Sequence, residues 1–219
     1  MLLCYVTDRH LLGGSVSLHD LLRQIERAAA AGVDWIQVRE KDLTARDLDQ
    51  FTRRAISACN RAGVSKTPPS QIVINDRVDV ALAAGAAGVH LTEASTPPAE
   101  TVQWLRTGNA PENFAAGVSC HSPADAIAAE KAGANYIFFG PVYETPSKVR
   151  FGEPQGLGKL SEVCRAVRIP VLAIGGVSDT NAAACIRAGA AGIAAIRLFQ
   201  QVVDLAALEA VVGRLRLHS

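Results

Sequence analysis

Residues 115–148, AAGVSCHSPADAIAAEKAGANYIFFGPVYETPSK, read as strand, helix, strand and polar loop. The apolar run 115–118 ends at Ser119-Cys120-His121. The run 136–139 ends at Gly140-Pro141, ahead of Tyr143-Glu144-Thr145-Pro146-Ser147-Lys148. Between the runs, Pro123 falls in the first turn of a helix and Gly133 just past its end, the places where a missing N–H and a positive φ are tolerated. Two parallel strands need a helix to carry the chain back. His121 and the Thr-Pro-Ser-Lys loop are therefore expected to open on one side, at the carboxyl end of the sheet.

Outward from this unit the same alternation recurs. Strand-length runs at 2–7, 35–41, 71–74, 88–91, 171–174 and 193–196 each lead into polar or glycine residues, as strands covered on both faces do. Helical spacing occupies 18–31, with Ser17 as its cap, then 44–60, a short segment carrying Val78, Val80 and Leu82, 99–106, 157–167, 180–188 and 199–217. Ala-Gly pairs at 31–32, 84–85, 132–133 and 188–189 join a helix end to the next strand and recur roughly every 50 residues, about two βα units. Eight strands, each followed by a helix and with no linker-like break, predict one α/β domain over residues 1–219, a (β/α)8 TIM barrel. An open doubly wound sheet is the alternative, but no G-x-G-x-x-G follows the first strand.

Bulk properties narrow the function. Of 219 residues 49% are hydrophobic, and 22 Lys plus Arg against 21 Asp plus Glu leave a formal charge of +1. That balance gives no electrostatic reason to expect nucleic acid or an anionic membrane, so any bound anion needs a local cluster. Cys4, Cys59, Cys120, Cys164 and Cys185 form no C-x-x-C pair, which argues against a disulfide framework or a zinc site and for a reduced, cytoplasmic setting. The N-terminal run is too short and lacks the cationic flank of a signal peptide, and no later run approaches a membrane span.

In a barrel the strand ends form one rim. Asp8-Arg9, Gln37, Arg39, Lys41, Asn75-Asp76, His90, Thr92, Glu93, Ser119, His121, Thr145, Ser147, Lys148, Gly175-Gly176 and Arg197 would all lie on it. Gly-Gly after the seventh strand, with Arg197 after the eighth, matches the place where barrels bind phosphate through bare backbone N–H groups. Arg39, Lys41 and Lys148 add charge, so the expected ligand is a phosphorylated small molecule. His90, in a short apolar strand, reads as a structural histidine.

The motifs Gln37-Val38-Arg39-Glu40-Lys41, Ile74-Asn75-Asp76-Arg77, Gly88-Val89-His90-Leu91, Gly117-Val118-Ser119-Cys120-His121-Ser122, residues 140–148 and Ala173-Ile174-Gly175-Gly176 resemble, in order, those of the thiamine phosphate synthase and TenI family of barrels. In the synthases the resemblance implies that Gln37, Arg39, Lys41, Asn75 and Lys148 hold the pyrophosphate of a hydroxymethylpyrimidine substrate. Departure of pyrophosphate leaves a cation that a thiazole nitrogen attacks, with Mg²⁺ shared between Asp76 and a second carboxylate. This chain has Ser95 at that second position, with Glu93 as a substitute ligand, and Arg197 where the family usually has a serine near the thiazole phosphate. The TenI branch implies instead a tautomerase that aromatises a carboxythiazole phosphate without metal, with His121 as proton carrier, since imidazole titrates near neutrality. The Cys-His-Ser wording and the missing carboxylate favour the tautomerase, with the synthase and a non-catalytic thiamine-binding barrel as alternatives. Family relatives also imply a homo-oligomer. Ser119, Thr145, Ser147, Gly175, Gly176 and Arg197 complete the expected substrate-binding set.

Overall fold

A computed structural model describes residues 1–12, 17–62, 69–92, 97–145, 153–202 and 204–217, leaving out the side chain of Leu12. These residues form eight parallel strands closed into a barrel, each hydrogen-bonded to its sequence neighbour and the eighth to the first. The first half runs β1 Leu2–Val6, α1 Leu18–Ala30, β2 Trp35–Val38, α2 Ala45–Ala62, β3 Gln71–Asn75, α3 Val78–Ala84, β4 Gly88–Leu91 and α4 Pro98–Trp104. The second runs β5 Ala115–Cys120, α5 Pro123–Lys131, β6 Tyr136–Phe139, α6 Gly156–Ala166, β7 Val171–Ile174, α7 Ala182–Arg187, β8 Gly192–Ala195, α8 Arg197–Gln200 and α9 Leu205–Arg216. The fold expected from the alternation is the fold found.

Period-two alternation divides every strand between two cores. Cys4, Val6, Tyr136, Phe138, Leu172 and Ala194 fill the barrel interior. Their neighbours Tyr5, Ile137, Phe139, Ala173 and Ile193 point outward and pack with helix residues such as Leu21, Ile25, Phe51 and Leu160. Close packing inside a narrow barrel forces large residues to face small ones. Tyr136 lies over Gly117, where a Cβ would come within 2.0 Å of the ring.

Local signals set the helix ends. The Ser17 and Ser122 side chains accept from the backbone N–H of Asp20 and Asp125, capping α1 and α5 as three-residue spacing allows. Gly85 ends α3 in the left-handed region, at φ 71°, and its N–H returns to the carbonyls of Ala81 and Leu82. The other three Ala-Gly junctions share a positive φ, so the 50-residue echo is a repeated helix-to-strand turn.

Two expectations needed correction. The helix expected over 199–217 is broken into α8 and α9, because Asp204 accepts from Ala207 N–H and starts a new helix. The helix expected over 99–106 ends at Trp104, and a wide turn, Leu105–Asn109, follows with Gly108 at φ 91°. Among the described residues no helix is long and apolar enough to cross a membrane.

Candidate active site

At the carboxyl end of β2 and β3 the barrel interior turns polar. Gln37 lies two residues beyond the inward-facing Trp35 and is 2% exposed; Asn75, at the end of β3, is also buried. Gln37 Nε2 donates to Asn75 Oδ1 at 2.9 Å, and Asn75 Nδ2 donates to Asp76 Oδ2 at 2.7 Å. The direction of this chain is dictated by its end: a carboxylate only accepts, so Asn75 must present its amide N–H₂ to Asp76 and its oxygen to Gln37. Gln37 Oε1 is left buried with no partner. An unsatisfied buried acceptor costs about 1–3 kcal/mol, so the position suits a ligand that brings an N–H.

Asp76 is the one described non-glycine residue with positive φ, at 60°. Its N–H donates to His90 O, while its Oδ1 accepts from Thr92 N–H at 3.1 Å and Thr92 Oγ1 at 3.0 Å. Held from β4 on one side and by Asn75 on the other, the carboxylate is fixed at the rim. A cavity of about 200 Å³ opens there, lined by Glu40, Lys41, Asn75, Asp76 and Arg77 over Val38, Leu43 and Leu48.

Two cations follow the end of β2, and of these Lys41 lines the cavity. The Arg39 backbone N–H donates to Thr7 Oγ1, and its guanidinium is 3.4 Å from Asp8 Oδ2. Asp8 is itself anchored by Gln200, whose amide accepts from the Asp8 N–H at 2.9 Å and donates to the Asp8 carbonyl. Lys41 is exposed and makes no hydrogen bond or ion pair among the described residues.

Deeper in the barrel, His90 is 1% exposed and places its ring 4.1 Å from that of Phe138. Its Nε2 is 2.9 Å from Ser119 Oγ and its Nδ1 is 3.3 Å from Tyr136 Oη, so the histidine expected to be structural does hold the expected substrate-binding serine. Burial pushes its pKa down to about 3, against a weaker upward pull from Asp76. In the unfolded chain the imidazole titrates at about 6.5, so between those values the unfolded state binds the extra proton and stability falls as pH drops. Urea midpoints should decline from pH 6.5 downward in the wild type and decline much less in His90→Asn. Equal declines would remove His90 as the cause.

The other expected residues lie around the rim. His121 Nδ1 is 2.6 Å from the Gly140 carbonyl and therefore donates to it, which ties the end of β5 to the end of β6. Gly175 and Gly176 have φ of 92° and 67°. Tyr143 N–H donates to Gly175 O, and a Cβ on Gly176 would come within 2.5 Å of Glu144 O and 2.7 Å of Tyr143 Cβ. The diglycine thus lets the loop after β6 lie directly on β7. Thr145 follows on that loop, half-buried. Arg197 opens α8 beyond β8, half-buried and without a hydrogen bond or ion pair among the described residues. Glu93, Ser95, Ser147 and Lys148 lie outside the described residues.

Sequence reasoning placed Arg9 on this rim but did not single out Thr7, Glu40 and Gln200. Their partners lie 31–195 positions away and meet only because β1, β2 and α8 adjoin. The available signal was Glu40 itself, a carboxylate between two cations at a strand end, which buries only when donors surround it.

Comparison with known proteins separates the two branches. A family model described as thiamine monophosphate synthase matches residues 3–199. A protein of Geobacter sulfurreducens provisionally named thiamine-phosphate synthase is 45% identical over 191 residues, covering 87% of this chain and 83% of its own. The thiamine-phosphate synthase of Methanocella arvoryzae is 39% identical over 219 residues, covering 97% and 95%. The structure of thiamine phosphate pyrophosphorylase from Pyrococcus furiosus superposes with a TM-score of 0.79 at 28% identity, over 99% of this chain and 94% of the other. The favoured expectation of a thiazole tautomerase (an isomerase) with His121 as proton carrier is overturned by these relatives, which carry the synthase name. Its weak point was the weight given to Ser95: Mg²⁺ is commonly held by one or two carboxylates, with substrate phosphates and water supplying the other oxygens.

Proposed function

We propose that this chain, which belongs to the thiamine monophosphate synthase family, joins a hydroxymethylpyrimidine diphosphate to a thiazole phosphate with release of pyrophosphate. Both substrates are phosphorylated small molecules, in keeping with the family. The observation that carries the proposal is the row Gln37, Asn75 and Asp76, hydrogen-bonded in order at the ends of β2 and β3 with Gln37 Oε1 buried and without a partner, next to a cavity lined by Lys41, Asn75 and Asp76. An aminopyrimidine brings the N–H that this acceptor lacks, and its diphosphate brings the charge that Arg39 and Lys41 complement.

In this reading the chemistry is departure of a leaving group followed by capture of the cation. Carbon–oxygen cleavage sends an electron pair onto the pyrophosphate, and the thiazole nitrogen then supplies the pair for the new carbon–nitrogen bond. Arg39 and Lys41 stabilise the charge that builds on the departing oxygens, a contribution larger in a partly water-excluded site than in bulk solvent. Gln37 and Asn75 fix the pyrimidine so that its reacting carbon faces the thiazole, and so much of the barrier is lowered by orientation. The thiazole phosphate is assigned to the opposite side of the rim, with the backbone of Gly175 and Gly176 and the guanidinium of Arg197 as its holders; Ser119 and Thr145 complete the contacts. Lys148 is assigned, with Arg39 and Lys41, to the pyrophosphate, and Ser147 to the substrate-binding set.

Among the described residues no group of three or more His, Cys, Asp or Glu side chains is placed to hold a metal. Asp76 alone still fits a Mg²⁺ ion whose remaining ligands are diphosphate oxygens and water, since its carboxylate is rigidly held and the cavity opens beside it. That ion would supply further neutralisation of the leaving group. Five cysteines without disulfides support a cytoplasmic setting.

The test is direct. Purified protein with hydroxymethylpyrimidine diphosphate, thiazole phosphate and Mg²⁺ should give thiamine phosphate and pyrophosphate in equal amounts, and chelation of the metal should lower the rate by about 100-fold or more, the scale of a lost electrostatic contribution at a leaving group. Folded protein that forms neither product would overturn the proposal.

A further inference from the structure

Lys41 has an unusual setting for a cation without an ion pair. It stands between two acidic residues, Glu40 and Asp42, on a turn closed by Leu43 N–H donating to Glu40 O at 3.3 Å. Flexible lysines beside carboxylates ordinarily pair with them or are screened by them. Here Arg9 binds both carboxylates, and His10 Nε2 lies 3.5 Å from Asp42 Oδ1 as well. Arg9 Nη1 lies 2.9 Å from Glu40 Oε2 and 2.7 Å from Asp42 Oδ1, and its Nη2 binds Asp42 Oδ2. The same Arg9 also gives its backbone N–H to Glu40, at 3.3 Å to each oxygen, and Thr7 Oγ1 donates to Glu40 Oε1 at 2.7 Å. The Glu40 side chain is wholly buried, and that of Arg9 is 15% exposed.

Asp42 responds as such a clamp requires. The Arg9 guanidinium holds the Asp42 carboxyl well below its ordinary range, at about 2, so it is charged at neutral pH. The guanidinium fork straddles position 41, with one arm shared by the residues on either side of it. A planar, always-charged group with several fixed donors can do this, whereas an ammonium cannot match both carboxylates in the same geometry.

We propose that Arg9 is a positioning residue for the diphosphate site: it binds Glu40 and Asp42 together, fixes the turn that carries Lys41, and keeps both carboxylates from pairing with Lys41, so that this cation faces the ligand. The inference rests on the assignment of the diphosphate to the Lys41 side of the rim. The same Thr7 hydroxyl that binds Glu40 accepts from the Arg39 N–H, so the bracket reaches the second cation as well.

The test separates charge relief from general scaffolding. Calorimetry with inorganic pyrophosphate and Mg²⁺ should show Arg9→Gln binding about 10-fold more weakly than wild type, the loss of roughly one charge-assisted contact. In the coupled assay the KM for the pyrimidine diphosphate should rise to match, while that for the thiazole phosphate stays within about twofold, because the clamp touches only one side of the rim. The triple variant Arg9→Gln, Glu40→Gln, Asp42→Asn removes the cation and both carboxylates at once and leaves no buried unpaired charge. It should return pyrophosphate affinity to within about threefold of wild type, because nothing is left to compete for Lys41. A folded Arg9→Gln with unchanged affinity would overturn the inference. So would a folded triple variant as weak as the single one, since the loss would then come from the scaffold and not from competing charge. Wild-type protein that binds pyrophosphate but does not turn over would count against the synthase reading and leave this one standing.

Discussion

Arg39→Ala is expected to lower kcat/KM for the pyrimidine diphosphate by about 100- to 1000-fold, the range seen when a preorganised donor is removed from a developing anion. The residue stands at the end of β2, and Thr7 fixes its backbone, so its loss cannot be made good by a neighbour sliding across. Its guanidinium rests 3.4 Å from Asp8, partly exposed, and a solvent-reached pair of that length contributes little to stability. Removing it should therefore leave the urea midpoint close to wild type while activity collapses. Arg39→Lys should recover part of the rate, because charge is restored without the planar fork that two phosphate oxygens can share. A rate within a few-fold of wild type in a folded Arg39→Ala variant would exclude the guanidinium from the leaving-group site.

Gly176→Ala is the second large effect, and it acts through the backbone. A methyl group there meets the Glu144 carbonyl at 2.5 Å and Tyr143 Cβ at 2.7 Å, and the residue would have to hold φ at 67°. Neither obstacle is the end of a flexible side chain. The loop after β6 must move off β7 or the backbone of β7 must shift, and costs of about 2–4 kcal/mol are expected from strain and overpacking together. Because Gly175 and Gly176 are also assigned to the thiazole phosphate, the KM for that substrate should rise while the affinity for pyrophosphate, bound across the rim, changes little. Chemical denaturation and substrate titration together check both parts. An unshifted midpoint would mean that the loop does not rest on the diglycine.

The barrel was legible in the sequence because each βα unit repeats its own signals. Continuous apolar strands mark burial on two faces, Ser17 and Ser122 mark helix starts, and the Ala-Gly pairs mark the turns back into the sheet. Much of the rim was legible as a consequence, since strand ends in a closed barrel must converge: Gln37, Asn75 and Asp76 were expected together and are hydrogen-bonded in a row. What escaped notice were roles that depend on contacts between strands. Glu40 looked like part of a charged strand end and proves to be buried beneath Arg9 and Thr7. Thr92 was expected on the rim as a strand-end residue without a partner named, and proves to grip Asp76 with both its N–H and its hydroxyl. The break before α9 was visible in Asp204, a good cap, but the apolar residues on both sides of it suggested one continuous helix. The choice of branch went astray for a chemical reason. A serine at position 95 was treated as disabling, although a diphosphate substrate brings several of a metal ion's oxygen ligands with it.

The most direct measurement is a crystal structure of the protein soaked with pyrophosphate and Mg²⁺. The account requires pyrophosphate density within hydrogen-bonding distance of Arg39, Lys41 and Asn75, with the ion against Asp76 and Arg9 still astride Glu40 and Asp42. Pyrophosphate ordered elsewhere on the rim, with the cavity at the ends of β2 and β3 filled by solvent, would contradict it.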